Sequence, residues 1–131
     1  MATDYFGLTI PYLDHLGVVP VSMGEGKASS RLPMRRDLHN SRGEFQGGAI
    51  MSVLDFTLSA CVRASAADAV GSATIDMNTS FLAPALTDLT VDARVVKAGG
   101  SIVFCEAEAR DTKGELVARA TGTFKVFRRR E

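Results

Sequence analysis

The sequence predicts an α+β fold: a curved antiparallel sheet of about five to six strands wrapped around one long central helix. Three observations lead there. Residues 49–67 form an apolar segment long enough to be a central helix. Residues 90–97, 102–110 and 116–127 alternate apolar and polar residues with the period of a strand, and short turns join them. Consecutive hairpin-linked strands are antiparallel neighbours, and their shared apolar face needs a cover that only the helix supplies.

The 131 residues fit one domain, residues 1–131. Fifteen basic and fifteen acidic residues cancel, which argues against a nucleic-acid binder. Hydrophobic residues at 46% and charged residues at 23% are ordinary globular values, not those of a disordered chain. No apolar run approaches a membrane span, and Met1–Tyr5 lacks the pattern of a secretory leader. The expectation is a soluble cytoplasmic protein with no membrane partner.

Element by element, Tyr5, Phe6, Leu8, Ile10, Leu13 and Leu16 fit a short helix loosely, with Pro11 expected to disturb it. Residues 18–23 are a short β-rich run, Gly24–Gly26 a turn, and residues 27–34 a weaker strand. The polar stretch 35–45 reads as a loop, and Gln46-Gly47-Gly48 closes it. Apolar residues appear on nearly every side of the helix that follows, so the helix should be enclosed by protein. Residues 67–71 break it. Residues 73–82 then alternate Ile75, Met77 and Phe81 with Thr74, Asp76, Asn78 and Ser80. Gly99-Gly100 and Asp111–Gly114 provide the hairpin turns between the last three strands.

The two histidines and two cysteines have no metal-ligand spacing, so no metal site and no cofactor are expected. Cys61 and Cys105 lie in apolar stretches and read as buried free thiols.

Asp55 does not fit its surroundings. It is the only charged residue between Phe45 and Val62, and burying an unpaired carboxylate costs several kcal/mol or raises its pKa. It is either a structural acid paired with an arginine or loop, or a carboxylate in a cleft acting as base or nucleophile. Gly47-Gly48 opens the same helix. Those glycines are either a packing turn or a close approach for a ligand, where free N–H groups polarise a carbonyl. Gly47 and Asp55 are eight residues apart, roughly 12 Å along a helix. One reacting carbonyl cannot touch both within one subunit. If they cooperate, two antiparallel copies of the helix must meet across a two-fold axis.

The pattern His39-Asn40-x-x-Gly43-x-x-Gln46-Gly47-Gly48, then Leu54-Asp55, then Thr74-Ile75-Asp76-Met77-Asn78-x-x-Phe81-Leu82-x-Pro84-Ala85 resembles the hotdog-fold acyl-CoA thioesterases. It looks most like the phenylacetate-degradation type within the 4-hydroxybenzoyl-CoA thioesterase superfamily. Gly99-Gly100, residues 111–118 and Thr121-Gly122-Thr123-Phe124 extend the resemblance, which covers about residues 16–127.

The resemblance implies a thioester hydrolase acting on an acyl-CoA, assembled as a homodimer that pairs into a dimer of dimers. It implies Asp55 as nucleophile or general base, Gly47 N–H as the group that polarises the thioester carbonyl, Asn40 beside the reacting centre, and Thr74 holding water or the carboxylate. Gln46 departs from the histidine that many relatives carry. It cannot titrate near neutrality, which leaves it a polar positioning role. Gly48, Met77 and Phe81 are candidate substrate contacts, with Met51, Leu58 and Leu82 as further cleft candidates that are equally ordinary core residues. Arg128 and Arg129 are candidates for the coenzyme A phosphates, against a solvated tail as the plain alternative; Arg35, Arg36 and Arg42 are weaker ones. A hydratase of the same fold needs a catalytic histidine, and this helix has none. The competing class is a non-catalytic acyl-CoA binding or sensor module.

Overall fold

The computed structural model describes residues 2–130. In chain order the elements are α1 (Pro11–Leu16), β1 (Val19–Gly24), β2 (Lys27–Leu32), a 3-10 turn (Arg36–Leu38), α2 (Gly47–Arg63), β3 (Ala69–Phe81), β4 (Leu89–Ala98), β5 (Ile102–Arg110) and β6 (Leu116–Arg128). The strands form one antiparallel sheet in the order β1-β2-β4-β5-β6-β3. The three hairpin-linked strands are neighbours, as their alternation requires. β1 and β3 are the two edges.

Small side chains let α2 approach the sheet. Ala28, Ala93, Ala107 and Ala120 stand in register across β2, β4, β5 and β6, and all four are buried. One row further on, a Cβ at Gly122 would lie 2.7 Å from Phe124 Cε1 and 3.3 Å from Leu58 Cδ1, so only glycine fits there. Leu58 is fully buried against this row, which removes it from any cleft. A buried hydroxyl pair also ties helix to sheet. Thr57 donates to Val53 O, so its oxygen accepts from Ser30.

Several boundaries differ from the sequence reading. Pro11 starts α1 instead of disturbing it, because the first helical position has no N–H to lose. α2 begins at Gly47, two residues early, since Gln46 caps it. It ends at Arg63, where Ser65 Oγ donates to Val62 O and Gly26 N–H to Ala64 O. β3 starts at Ala69, inside the stretch read as a helix breaker. The polar loop holds the 3-10 turn, with Leu38 buried.

The N-terminal segment is strapped onto α2. The half-buried Arg63 guanidinium donates to Phe6 O (3.1 Å) and Tyr5 O (3.4 Å). Phe6 stacks on Phe56 with ring centroids 5.9 Å apart, and Tyr5 meets the same ring edge-on. Phe6 adopts φ 54, a strained value for a bulky residue that these contacts over-determine. Asp14 accepts from Thr3 N–H (2.9 Å) and from the Tyr5 hydroxyl (3.2 Å). Cys61 and Cys105 are free and buried. The Cys61 thiol is pushed up by its hydrogen bond to Cys105 and then by burial, which makes it unreactive. Among the described residues no helix is long and apolar enough to cross a membrane.

Candidate active site

The site is built on one face of α2. Val53, Leu54, Leu58 and Val62 turn into the core, whereas Gly48, Ser52, Asp55 and Ser59 form a stripe that the chain leaves open. The helix is therefore not enclosed on all sides. Asp55 is half-buried on that stripe, not sealed in apolar surroundings.

At the helix start, Gln46 has φ −67 and ψ 136, the extended geometry of an N-cap. Its carbonyl accepts from Ala49 N–H (3.0 Å) and Ile50 N–H (3.3 Å). Its side-chain Oε1 accepts from Gly48 N–H at 2.5 Å. Gln46 N–H donates to Leu38 O and Phe45 N–H to Ala85 O, both at 2.8 Å, which fixes how the chain enters the helix. Among the described residues the Gly47 N–H has no partner. Of the first four helix donors it is the one left without an acceptor. The Phe81 ring lies beside it: a Cβ at Gly47 would stand 3.4 Å from Phe81 Cζ.

Asp55 has one fixed partner. Thr74 Oγ1, on β3, donates to Asp55 Oδ1 at 2.6 Å. Oδ2 remains open. One turn further, Ser72 donates to Ser59 O (3.1 Å), and the Ser59 and Ser72 hydroxyls meet at 2.5 Å. A cavity of about 210 Å³ opens beside Asp55, bordered by Ile10, Tyr12, Ser52 and Phe56. A larger hollow of about 500 Å³ lies elsewhere. It sits on the sheet among Lys27, Asp92, Arg94, Glu106, Glu108 and Arg119, includes neither Gly47 nor Asp55, and is crossed by the Arg94–Glu106 ion pair. Size alone does not make it the reacting centre.

The structure thus joins Asp55 to Thr74, and Gln46 to Gly48 and Gly47. Gly47 and Asp55 stand on one helix, eight residues apart. Asn40 orders its own loop: its Oδ1 accepts from Arg42 N–H (2.8 Å) and Glu44 N–H (3.1 Å), and Gly43 turns the chain at φ 76. Met77 is half-buried against the core, whereas Met51, Phe81 and Leu82 are exposed. Arg128 is occupied, donating to Asp68 Oδ1 (2.7 Å) and Gly100 O (3.0 Å). The Arg129 side chain is exposed, and its backbone N–H donates to Asp68 O. Arg35 is committed to Leu16 O, His15 O and Asp37, and Arg42 pairs with Glu44. Phe56 adjoins Asp55 in sequence, whereas nothing in the residue pattern marks Ile10 or Tyr12 as its neighbours. Among the described residues no cluster of metal-ligating side chains occurs.

An antiparallel sheet wrapped around one long helix is the hotdog architecture. Residues 45–118 match the model of the thioesterase superfamily, and the chain belongs to that family. It is 33% identical over 127 residues to a protein named "putative esterase" from Halobacterium salinarum, covering 88% of this chain and 84% of that one. The structure of a conserved Pseudomonas aeruginosa protein superposes with a TM-score of 0.84 at 33% identity, covering 90% and 94% of the two chains. A Ralstonia eutropha protein named "putative thioesterase, phenylacetic acid degradation-related protein" superposes at 0.82 with 29% identity over 93% and 96%. The protein is an enzyme of the thioester-hydrolase class.

Proposed function

We propose that the protein is a single-domain acyl-CoA thioesterase. It hydrolyses an aromatic or medium-chain acyl-CoA to the free acid and coenzyme A, in sites shared between two subunits. The observation that carries this reading is the pair on the open face of α2: a Gly47 N–H without a partner and a half-buried Asp55 held by Thr74.

The thioester carbonyl oxygen accepts from Gly47 N–H, at the positive end of the α2 dipole, where charge develops as the carbonyl is attacked. The partner subunit's Asp55 either attacks the carbonyl carbon or removes a proton from the attacking water. In both routes one water is consumed, the C–S bond breaks, and the thiolate leaves and takes up a proton as coenzyme A. Thr74 fixes one carboxylate oxygen and leaves the other for water or substrate. Gln46 holds Gly48 N–H, so that Gly47 N–H faces the carbonyl. Asn40 shapes the loop before the helix. Gly48, Met77 and Phe81 border the acyl thioester, and Arg129 with Arg128 lies toward the coenzyme A phosphates.

Two features support the shared site. The roughly 12 Å between Gly47 and Asp55 along one helix exceeds the reach of one carbonyl. The edge strand β3 exposes Val70 (53%), Ile75 (54%) and Phe81 (51%) beside the open stripe, an apolar surface that a second copy would cover. Pairing of dimers into a tetramer is the fuller assembly expected.

The test is thiol release from a panel of acyl-CoA thioesters. The wild type should turn over at least one, and Asp55→Asn should lose at least about 10²-fold in kcat with its melting temperature kept. Binding without thiol release by the wild type would favour the sensor reading. Full activity in folded Asp55→Asn would remove Asp55 from the chemistry.

A further inference from the structure

The cavity beside Asp55 is walled by a segment outside the family match. Residues 10–13 belong to the N-terminal strap, whereas the superfamily match begins at residue 45. Tyr12 is the notable part of that wall. Its side chain is 57% exposed, and its hydroxyl lies 3.3 Å from Ser52 Oγ, on the turn before Asp55. Ser52 already donates its proton to Gly48 O (2.8 Å), so Tyr12 donates and Ser52 accepts. The ring is thus pinned across the open stripe by one hydrogen bond. The backbone beneath it is held independently, by buried Leu13 and Leu16 and by Arg63 on Tyr5 and Phe6. A wall side chain that α1 does not need for its own docking is free to serve the ligand.

We propose that Tyr12 sets the acyl length accepted at Asp55. The inference rests on the reading of Asp55 as the reacting carboxylate. The cavity holds about 210 Å³. An enclosed apolar cavity of about 150 Å³ takes a benzene ring, so this space suits a compact acyl group. Its apolar walls are Ile10, Leu13 and Phe56, and Tyr12 stands at its outer rim. A compact acyl group fills the space between those side chains. A longer chain has to displace the Tyr12 ring and break its bond to Ser52.

The measurement is the ratio of kcat/KM for dodecanoyl-CoA to that for hexanoyl-CoA. Tyr12→Ala should raise the ratio by about 10-fold, the scale of a lost or gained methylene-sized contact in an apolar pocket. Tyr12→Trp should lower it, and Tyr12→Phe, which keeps the ring but loses the bond to Ser52, should raise it by less than Tyr12→Ala does. A merely structural role would change both substrates equally and leave the ratio alone. An unchanged ratio in both Tyr12→Ala and Tyr12→Trp, with wild-type melting curves, would overturn the proposal. If the wild type releases thiol from no thioester, the reading of Asp55 fails separately. The same ratio, taken from the Kd values of non-hydrolysable dodecyl- and hexyl-CoA thioethers, then decides the role of Tyr12.

Discussion

On one side of α2, Val53, Leu54, Leu58, Cys61 and Val62 are fully buried against rows of alanine and Gly122. On the other, Ser52, Asp55 and Ser59 each meet a hydroxyl from outside the helix, of Tyr12, Thr74 and Ser72, and stay partly open. The first face is satisfied by its own chain. The second is a row of polar groups each given one partner from outside the helix, with acceptor capacity left over. The difference separates what holds the helix in place from what the helix presents.

Substitutions should divide along the same line. The largest effect on stability belongs to the closed face. Leu54→Ala should cost about 2–5 kcal/mol, because the alanine rows and Gly122 cannot move in to fill the void. Denaturant melts should show this loss, with kcat unchanged in the fraction that remains folded. A mild Leu54→Ala combined with a destabilising Asp55→Asn would invert the comparison and break it.

A smaller effect sharpens the comparison at the strap. The Asp14 carboxyl is held below its ordinary value, chiefly by the Thr3 backbone N–H, with the Tyr5 hydroxyl adding to it. A depressed carboxylate contributes stability that is present above its unfolded pKa and lost as pH falls through the folded one. The strap should therefore stay docked at neutral pH and loosen only as pH drops below about 4, near the ordinary carboxylate value. Hydrogen exchange at the Tyr5 and Leu8 amides, which bond to each other's carbonyls, would report it. In Asp14→Asn that acid dependence should disappear. The closed face of α2 should not respond over this range.

Much of this was readable from the residues. Strict alternation in 90–97, 102–110 and 116–127 placed β4, β5 and β6 to within a residue or two. The lone charge at Asp55 marked the face of α2 that the chain leaves open. Other features lay outside local pattern. Glycine is a poor helix former, so the start of α2 at Gly47 depends on the Gln46 side chain reaching Gly48. The enclosure expected for α2 followed from counting apolar residues, but Gly48, Ser52, Asp55 and Ser59 align on one stripe at helical spacing. Tyr12 meets Ser52 across 40 residues of sequence, and no periodicity carries such a contact. Arg35 looked like a free cation, but backbone carbonyls of the α1 end claim it.

Mixing two inactive variants tests whether Gly47 of one subunit and Asp55 of its partner act on one thioester. Asp55→Ala removes the carboxylate. Gly47→Pro removes the N–H at a position that tolerates proline: Gln46 already has the extended geometry required before it, and a Cβ there meets only the Phe81 ring at 3.4 Å. Each variant alone should be inactive. In a mixed dimer one site carries both defects and the other neither. After random subunit exchange, half the dimers are mixed and each holds one intact site, so activity should return to about a quarter of wild type per subunit. No recovery, with exchange demonstrated and both variants folded, would contradict a site shared across the two-fold.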